Sequence, residues 1–340
     1  MSRSGDQFDS VLKALAADPS TEFGLPGAQV TVLRHVEGPY SSVHRVRIQT
    51  PGRTVHAYAK IMKPHVEGAD ELVRLDRFLR REYNATAAFY AALPQDDDVR
   101  AVRPIAMLRE HYALVTEEVP GRPLAEMLAD TQQPPERLAV IASRVGRWIR
   151  AYQRIGTVDA TIQLAERRKY LDDRLRLLEG RVLTSEERAA TLARFDALAS
   201  DIGVAGVPAV PIHADLTPMN IIVDDDGRVA VLDFTMVKKG TALHDLSHVY
   251  FHIELIARRH RGRRALFRSL QDAMVTGYDP SLTTGAPLFR MMLMQHGICH
   301  VAMLAQRRIP VVDLAYRWFL KRRWQLCEQM LSQATALRVA

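Results

Sequence analysis

A chain patterned mostly for helices turns, near residue 210, into two short apolar strands. Asn220-Ile-Ile-Val and Val229-Ala-Val-Leu-Asp-Phe234 are joined by Asp-Asp-Asp-Gly-Arg, and an Asp-Gly between β runs marks a hairpin. The polar residues around it have fixed places. His213-x-Asp215 precedes the hairpin, Asn220 enters its first strand, and Asp233 lies at the end of its second. A hairpin brings its second strand back to where the first began, so Asn220 and Asp233 are expected together at one end, with Asp215 in the loop just before. Two oxygen ligands at one point suit Mg²⁺, a hard cation that shares carboxylate and phosphate oxygens. The remaining carboxylate can accept a proton from an attacking hydroxyl. Metal and positioned base are the parts that phosphoryl transfer needs.

The surrounding pattern splits in two. Residues 1–20 read as an amphipathic helix with Phe8, Val11, Leu12 and Leu15 on one side. Valine-rich runs at 28–36, 42–49 and 54–62, a helical spacing over 67–93, and strand candidates at 101–108 and 112–119 give β-β-β-α-β-β. Pro120-Gly-Arg-Pro123 breaks the chain. Helices are then expected at 123–130, 134–156, 159–180, 184–202, 243–260, 262–277, 285–307 and 312–336. This is an α+β chain. Its expected domains are a helical extension (1–20), a small β-rich lobe (21–118) and a larger, mostly helical lobe (119–340).

Length and composition agree. A chain of 340 residues exceeds one small core, and 47% hydrophobic with 25% charged residues excludes a largely disordered chain. No uninterrupted apolar run is long enough for a transmembrane segment, and the first twenty residues lack a signal-peptide pattern. With two cysteines, Cys299 and Cys327, no disulfide framework is expected, and a cytoplasmic location is the default. The net charge is +7, and lysine supplies only seven of the 46 basic residues. A lysine inside an apolar strand, Lys60 in Ala-Tyr-Ala-Lys-Ile-Met, therefore stands out: a charge there is costly unless paired.

His213-Ala-Asp215-Leu-Thr217-Pro-Met-Asn220, followed by Leu232-Asp233-Phe234, resembles the catalytic loop and metal motif of the protein-kinase-like fold. It is most similar to the aminoglycoside phosphotransferase and choline kinase branch. The resemblance implies a bilobal kinase fold with the active site between the lobes, an ATP nucleotide and Mg²⁺. By it, Asp215 is the catalytic base, and Asn220 and Asp233 hold the metal. Lys60 grips the α/β-phosphates, paired with Glu82 (Glu71 the second choice). Gly38, Ser41 and Ser42 form a reduced phosphate loop. Thr116, Glu117 and Val119 form the adenine pocket, and His213 and Asp245 support the catalytic loop. Only eleven residues separate Asp233 from Asp245, too few for a peptide-binding platform, and Thr217 stands where protein kinases carry lysine. The expected partner is a small-molecule hydroxyl acceptor touched by Thr217, Lys238, Lys239 or His248. An excess of positive charge favours a neutral or anionic acceptor such as a sugar, polyol, nucleoside or glycolipid precursor over a polycationic aminoglycoside.

Rival readings exist. An inactive kinase-like nucleotide-binding module would keep the same residues. His244, His248 and His252 recur every four residues on one helix face, and His244-Asp-Leu-Ser-His248 superficially resembles a zinc hydrolase motif. The run Arg258–Arg264 is read as a solvated helix end, although peripheral contact with an acidic membrane would also suit it. No Gly-Lys dipeptide, no GxGxxG and no zinc-knuckle spacing occurs, which argues against a P-loop kinase, a dinucleotide enzyme and a nucleic-acid binder.

Overall fold

The computed structural model describes residues 3–64, 66, 68–93, 98–156, 159–306 and 313–336. The expected helix limits at 67, 307 and 312 lie outside the described residues. In chain order come α1 (Arg3–Ala16), β1 (Gln29–Glu37), β2 (Ser41–Thr50), β3 (Arg53–Met62), α2 (Ala69–Ala92), β4 (Pro104–Leu108), β5 (Ala113–Glu117) and the two-residue β6 (Arg122–Pro123). Next are α3 (Leu124–Ala129), α4 (Pro135–Gln153), β7 (Thr161–Gln163), α5 (Leu164–Arg176), α6 (Ser185–Ile202), β8 (Gly206–Ile212), β9 (Ile221–Val223), β10 (Val229–Val231) and β11 (Lys238–Thr241). The chain ends in α7 (His244–Ala257), α8 (Arg264–Tyr278), α9 (Pro287–Gln306) and α10 (Asp313–Ala336). The fold is α+β, with the expected β-β-β-α-β-β start.

Two compact units divide the chain. The first is Met1–Glu126 with Met219–Val237; the second is Met127–Pro218 with Lys238–Ala340. The hairpin β9–β10 thus belongs to the β-rich unit, although it lies far along the sequence. The reason is pairing: β6 hydrogen-bonds to β9, and Val99 bridges Val229. Helix α1 is likewise part of this unit.

In the first unit a five-stranded antiparallel sheet runs β1-β2-β3-β5-β4. The period-two alternation of β2 and β3 sends His44, Val46, Ile48, Val55, Ala57, Ala59 and Ile61 to one face, where α1 buries Phe8, Val11 and Leu15. The opposite face, carrying Lys60 and Leu114, meets Leu75 and Leu79 of α2. Along α2 the buried stripe continues through Glu82, Thr86 and Phe89. Two acidic residues of this stripe, Glu71 and Glu82, therefore lie buried among apolar ones and need partners. The β9–β10 turn is closed by Gly227 at φ 77°, with Asp224 accepting from the Arg228 amide at 2.8 Å.

In the second unit α4 and α8 cross at backbone contact. A Cβ on Gly146 would sit 2.1 Å from the Met274 carbonyl oxygen, and one on Gly277 would sit 2.2 Å from that of Ser143. A small sheet, β11-β8-β7, lies beside the helices. The sequence reading missed it: 159–180 was expected to be wholly helical, but Thr161–Gln163 pairs with β8 instead. Pro208 and Pro211 disguise β8, because proline removes ladder donors. Helix α9 is long and apolar enough to cross a membrane by length and composition, with mean hydropathy 1.2, and 67% of that stretch is buried inside the protein. No uninterrupted apolar run marks it in the sequence, since Arg290, Gln295, His296 and His300 punctuate it.

Candidate active site

Within the first unit, Lys60 reaches across from β3 to three acceptors. Its Nζ lies 3.0 Å from both Glu82 carboxylate oxygens, 2.8 Å from Asp233 Oδ1 and 3.2 Å from Thr235 Oγ1. Glu82 is 3% exposed. Burial alone would strip the lysine of its proton, but the Glu82 and Asp233 carboxylates outweigh it and hold the ammonium above its ordinary pKa. Glu71, the second choice, is held by Arg74 instead, at 2.5 Å.

Asp233 sits at φ 66° just past β10, a left-handed conformation that aspartate tolerates better than most residues. The hairpin brings the metal candidates together as expected: the Leu232 amide donates to the Asn220 carbonyl at 2.9 Å, so Asn220 and Asp233 flank the same end. Thr235, which the sequence reading passed over, completes the cluster. Its hydroxyl lies 2.9 Å from Glu82 Oε2 and 2.5 Å from Asp233 Oδ1. Its place two residues after Asp233 was the only clue.

These groups edge a cavity of about 560 Å³. Lys60, Glu82, Ser41, Thr116, Glu117, Val119, Asn220 and Asp233 all line it, as do Tyr58, Arg34 and Arg122. Tyr58 is legible afterwards as the residue two before Lys60, on the same strand face. Ser42 departs from expectation. It falls on the buried face of β2, 2% exposed, while Ser41 and Val43 face the cavity; strand alternation permits only one of two adjacent serines. Gly38 does not line the cavity. It closes the β1–β2 turn, its amide donating to Ser41 at 2.9 Å and its carbonyl accepting from Lys63 at 3.1 Å.

The second unit holds the catalytic-loop candidates. Asp245, fully buried in the first turn of α7, accepts the His213 amide at 2.7 Å and the Ala214 amide at 3.0 Å. Burial raises its pKa, but the His244 side chain, the His213 charge and the backbone donor together hold it below the ordinary value. Ala214 is forced to φ 66°, a conformation costing a non-glycine residue about 1 kcal/mol or more. Asp215 follows directly, half-buried with Thr217. Lys238 and Lys239 are exposed on β11, opposite Ile212 and Pro211.

His248 packs in a histidine cluster, its ring 4.5 Å from His296 and 4.8 Å from His252, with His244 4.8 Å from His296. Burial pushes His248 and His296 well below the usual histidine range and His252 down to about 4, so these rings are neutral at pH 7. Among the described residues no group of three or more His, Cys, Asp or Glu side chains is arranged to hold a metal. The rings stack and cap a helix interface: His296 Nε2 lies 3.0 Å from the His244 carbonyl and 3.1 Å from Ser247 Oγ.

Comparison with known proteins bears on the fold and the family. No curated relative matches the sequence. Solved structures match over nearly the whole chain. The ADP-bound aminoglycoside phosphotransferase APH(2'')-Ib aligns with TM-score 0.59 at 11% identity, covering 94% of this chain and 97% of that one. A choline/ethanolamine kinase family protein from Mesorhizobium loti gives 0.56 at 14% identity, with 97% and 98% covered. The macrolide 2'-phosphotransferase MphH from Brachybacterium faecium gives 0.54 at 18%, with 94% and 98% covered. At these identities the likeness concerns the fold. The sequence itself matches a family description over residues 41–284, and on that match the chain belongs to the phosphotransferase enzyme family.

Proposed function

We propose that this protein is an ATP-dependent kinase that moves the γ-phosphate to a hydroxyl of a small molecule. The observation that carries the reading is the Lys60–Glu82–Asp233 cluster at the edge of the 560 Å³ cavity. A protonated lysine, fixed by a buried glutamate, is a ready partner for phosphate oxygens. Thr116, Glu117 and Val119 line the same cavity, in keeping with a nucleobase there.

Asn220 and Asp233 offer one amide oxygen and one carboxylate. That donor set fits Mg²⁺, which is held by one or two protein oxygens together with substrate phosphates. Bound there, the ion would neutralise charge on the phosphates. Asp215 orients the acceptor hydroxyl and takes its proton, and Asp245 fixes the loop that carries Asp215 through the amides of His213 and Ala214. Lys60 steadies the α/β-phosphates, with Glu82 and Thr235 holding the ammonium in place. Catalysis in this scheme is positioning and electrostatics.

For the acceptor we favour a neutral or anionic sugar, polyol, nucleoside or glycolipid precursor. The test is ADP release from ATP and Mg²⁺ across a panel of alcohol-bearing metabolites, with mass detection of the phosphorylated product. Nucleotide binding without transfer to any acceptor in a broad panel would instead mark an inactive kinase-like module, and zinc in the purified protein would revive the hydrolase reading.

A further inference from the structure

We infer that the second unit carries an anion-binding subsite for the acceptor, formed by Arg167 and Arg174 of α5 and Lys238 of β11 beside Cys299 of α9. Its ligand is a carboxylate or phosphate group on the same molecule whose hydroxyl is phosphorylated. This rests on the kinase reading and narrows its substrate class.

Arg167, Tyr170, Leu171 and Arg174 recur at helical spacing and share one face of α5. That face is turned to α9, because Tyr170 Oη lies 3.4 Å from Cys299 Sγ. The Arg174 guanidinium sits 5.1 Å from the Tyr170 ring centre. The charges of Arg174, Lys238 and Arg167 all act on the Cys299 thiol, and that of Arg167 also acts on His296, one turn earlier on α9. Three cations from two elements thus act on one thiol. Lys238 pairs in register with Ile212, three residues before Asp215, so Lys238 adjoins the loop that carries the proposed base.

Neighbouring arginines show what is missing. Arg168 is matched by Asp196 at 2.6 Å, Arg176 by Asp172 at 3.1 Å, and Arg188 by Asp172 at 2.7 Å and Glu179 at 3.1 Å. Among the described residues, Arg167 and Arg174 form no such ion pair. The carboxylate whose charge reaches Arg167 is Glu166, the adjacent, exposed residue. Neither Cys299 nor His296 supplies an anion: Cys299 keeps its proton, since burial raises its pKa despite the three cations, and His296 is neutral. A partly buried guanidinium without a counter-ion is costly. A planar fork beside a flexible ammonium is the arrangement that recognises carboxylate or phosphate.

The test uses four ligands on one three-carbon skeleton: glycerol 3-phosphate, glycerate, glycerol and 3-amino-1,2-propanediol. Binding to the full chain without nucleotide is read by ligand NMR, with inorganic phosphate as competitor. The two anions are expected to bind and the other two to fall below them by about tenfold or more. The two anionic arms separate a phosphate from a carboxylate site. Arg167→Gln should remove the preference, Arg167→Lys should restore part of it, and Arg168→Gln should leave it intact, with ATP binding and thermal unfolding unchanged throughout. Equal binding of all four ligands, or equal effects of Arg167→Gln and Arg168→Gln, would overturn the inference. Arg167-dependent anion binding with no ATP-dependent transfer to any acceptor would count against the kinase reading and leave the anion subsite standing.

Discussion

Asp245→Asn isolates the support of the proposed catalytic loop. The carboxylate receives two backbone donors, at 2.7 Å from His213 and 3.0 Å from Ala214, with no exposed surface. Hydrogen bonds to a charged acceptor contribute about 1.5–3 kcal/mol each, and a buried donor left unmet costs about 1–3 kcal/mol. Asparagine keeps one acceptor oxygen and turns an N–H₂ toward the second amide. One bond is weakened and one donor is orphaned, offset in part by relief from burying a charge. The expected net loss is about 3 kcal/mol. The consequence reaches function, because Ala214 holds its left-handed φ of 66° only while both amides are anchored. Asp215 then loses its aim. The assay is urea unfolding followed by tryptophan fluorescence, beside acceptor turnover. A pH series adds a signature. Asp245 titrates below its ordinary value when folded, so its contribution is present above the unfolded pKa and disappears as pH falls through the folded one. The Asn variant should lack that component of acid destabilisation. A variant within about 0.5 kcal/mol of the parent, with turnover intact, would refute the reasoning.

Other outcomes follow from the same geometry. Glu82→Gln leaves Lys60 with Asp233 as its carboxylate partner, so it should cost about 2–3 kcal/mol of stability and raise the KM for ATP, measurable by denaturation and steady-state kinetics. Gly146→Ala pushes a methyl to 2.1 Å from the Met274 carbonyl and should cost about 3 kcal/mol, read as a fall in the denaturation midpoint of the second unit. His252 is held neutral, its folded pKa down to about 4 from 6.5. The unfolded chain therefore binds the extra proton, and stability should rise with pH between about 4 and 6.5, by up to about 3 kcal/mol from this residue; His252→Gln should flatten the curve of unfolding free energy against pH.

Much of the molecule was legible because its determinants are local. The alternation of β2 and β3 announces the sheet, and the Asp-Gly turn announces the hairpin. The single charged residue in an apolar strand marks Lys60. What escaped depends on partners distant in sequence. β7 is too short to outweigh a helical neighbourhood, and β8 carries two prolines, so their sheet is set by tertiary pairing alone. Ser42 was misplaced because the resemblance named a loop, whereas the pleat decides which serine faces the cavity. Thr235 escaped because a threonine after Asp-Phe has no meaning until Glu82 is seen 2.9 Å away. Arg167 and Arg174 escaped among 39 arginines, since only the paired neighbours show that these two form no ion pair among the described residues.

The central claim is that Lys60 and Asp215 serve one phosphoryl transfer. The most direct measurement is single-turnover transfer from ATP, with Mg²⁺, to an acceptor found in the metabolite screen, comparing the parent with Lys60→Ala and Asp215→Asn. Removal of a positioned base should slow the step by about 10²–10⁴-fold, with Asp215→Asn still binding ATP and Lys60→Ala losing affinity for it. Unchanged transfer by both variants would contradict the account.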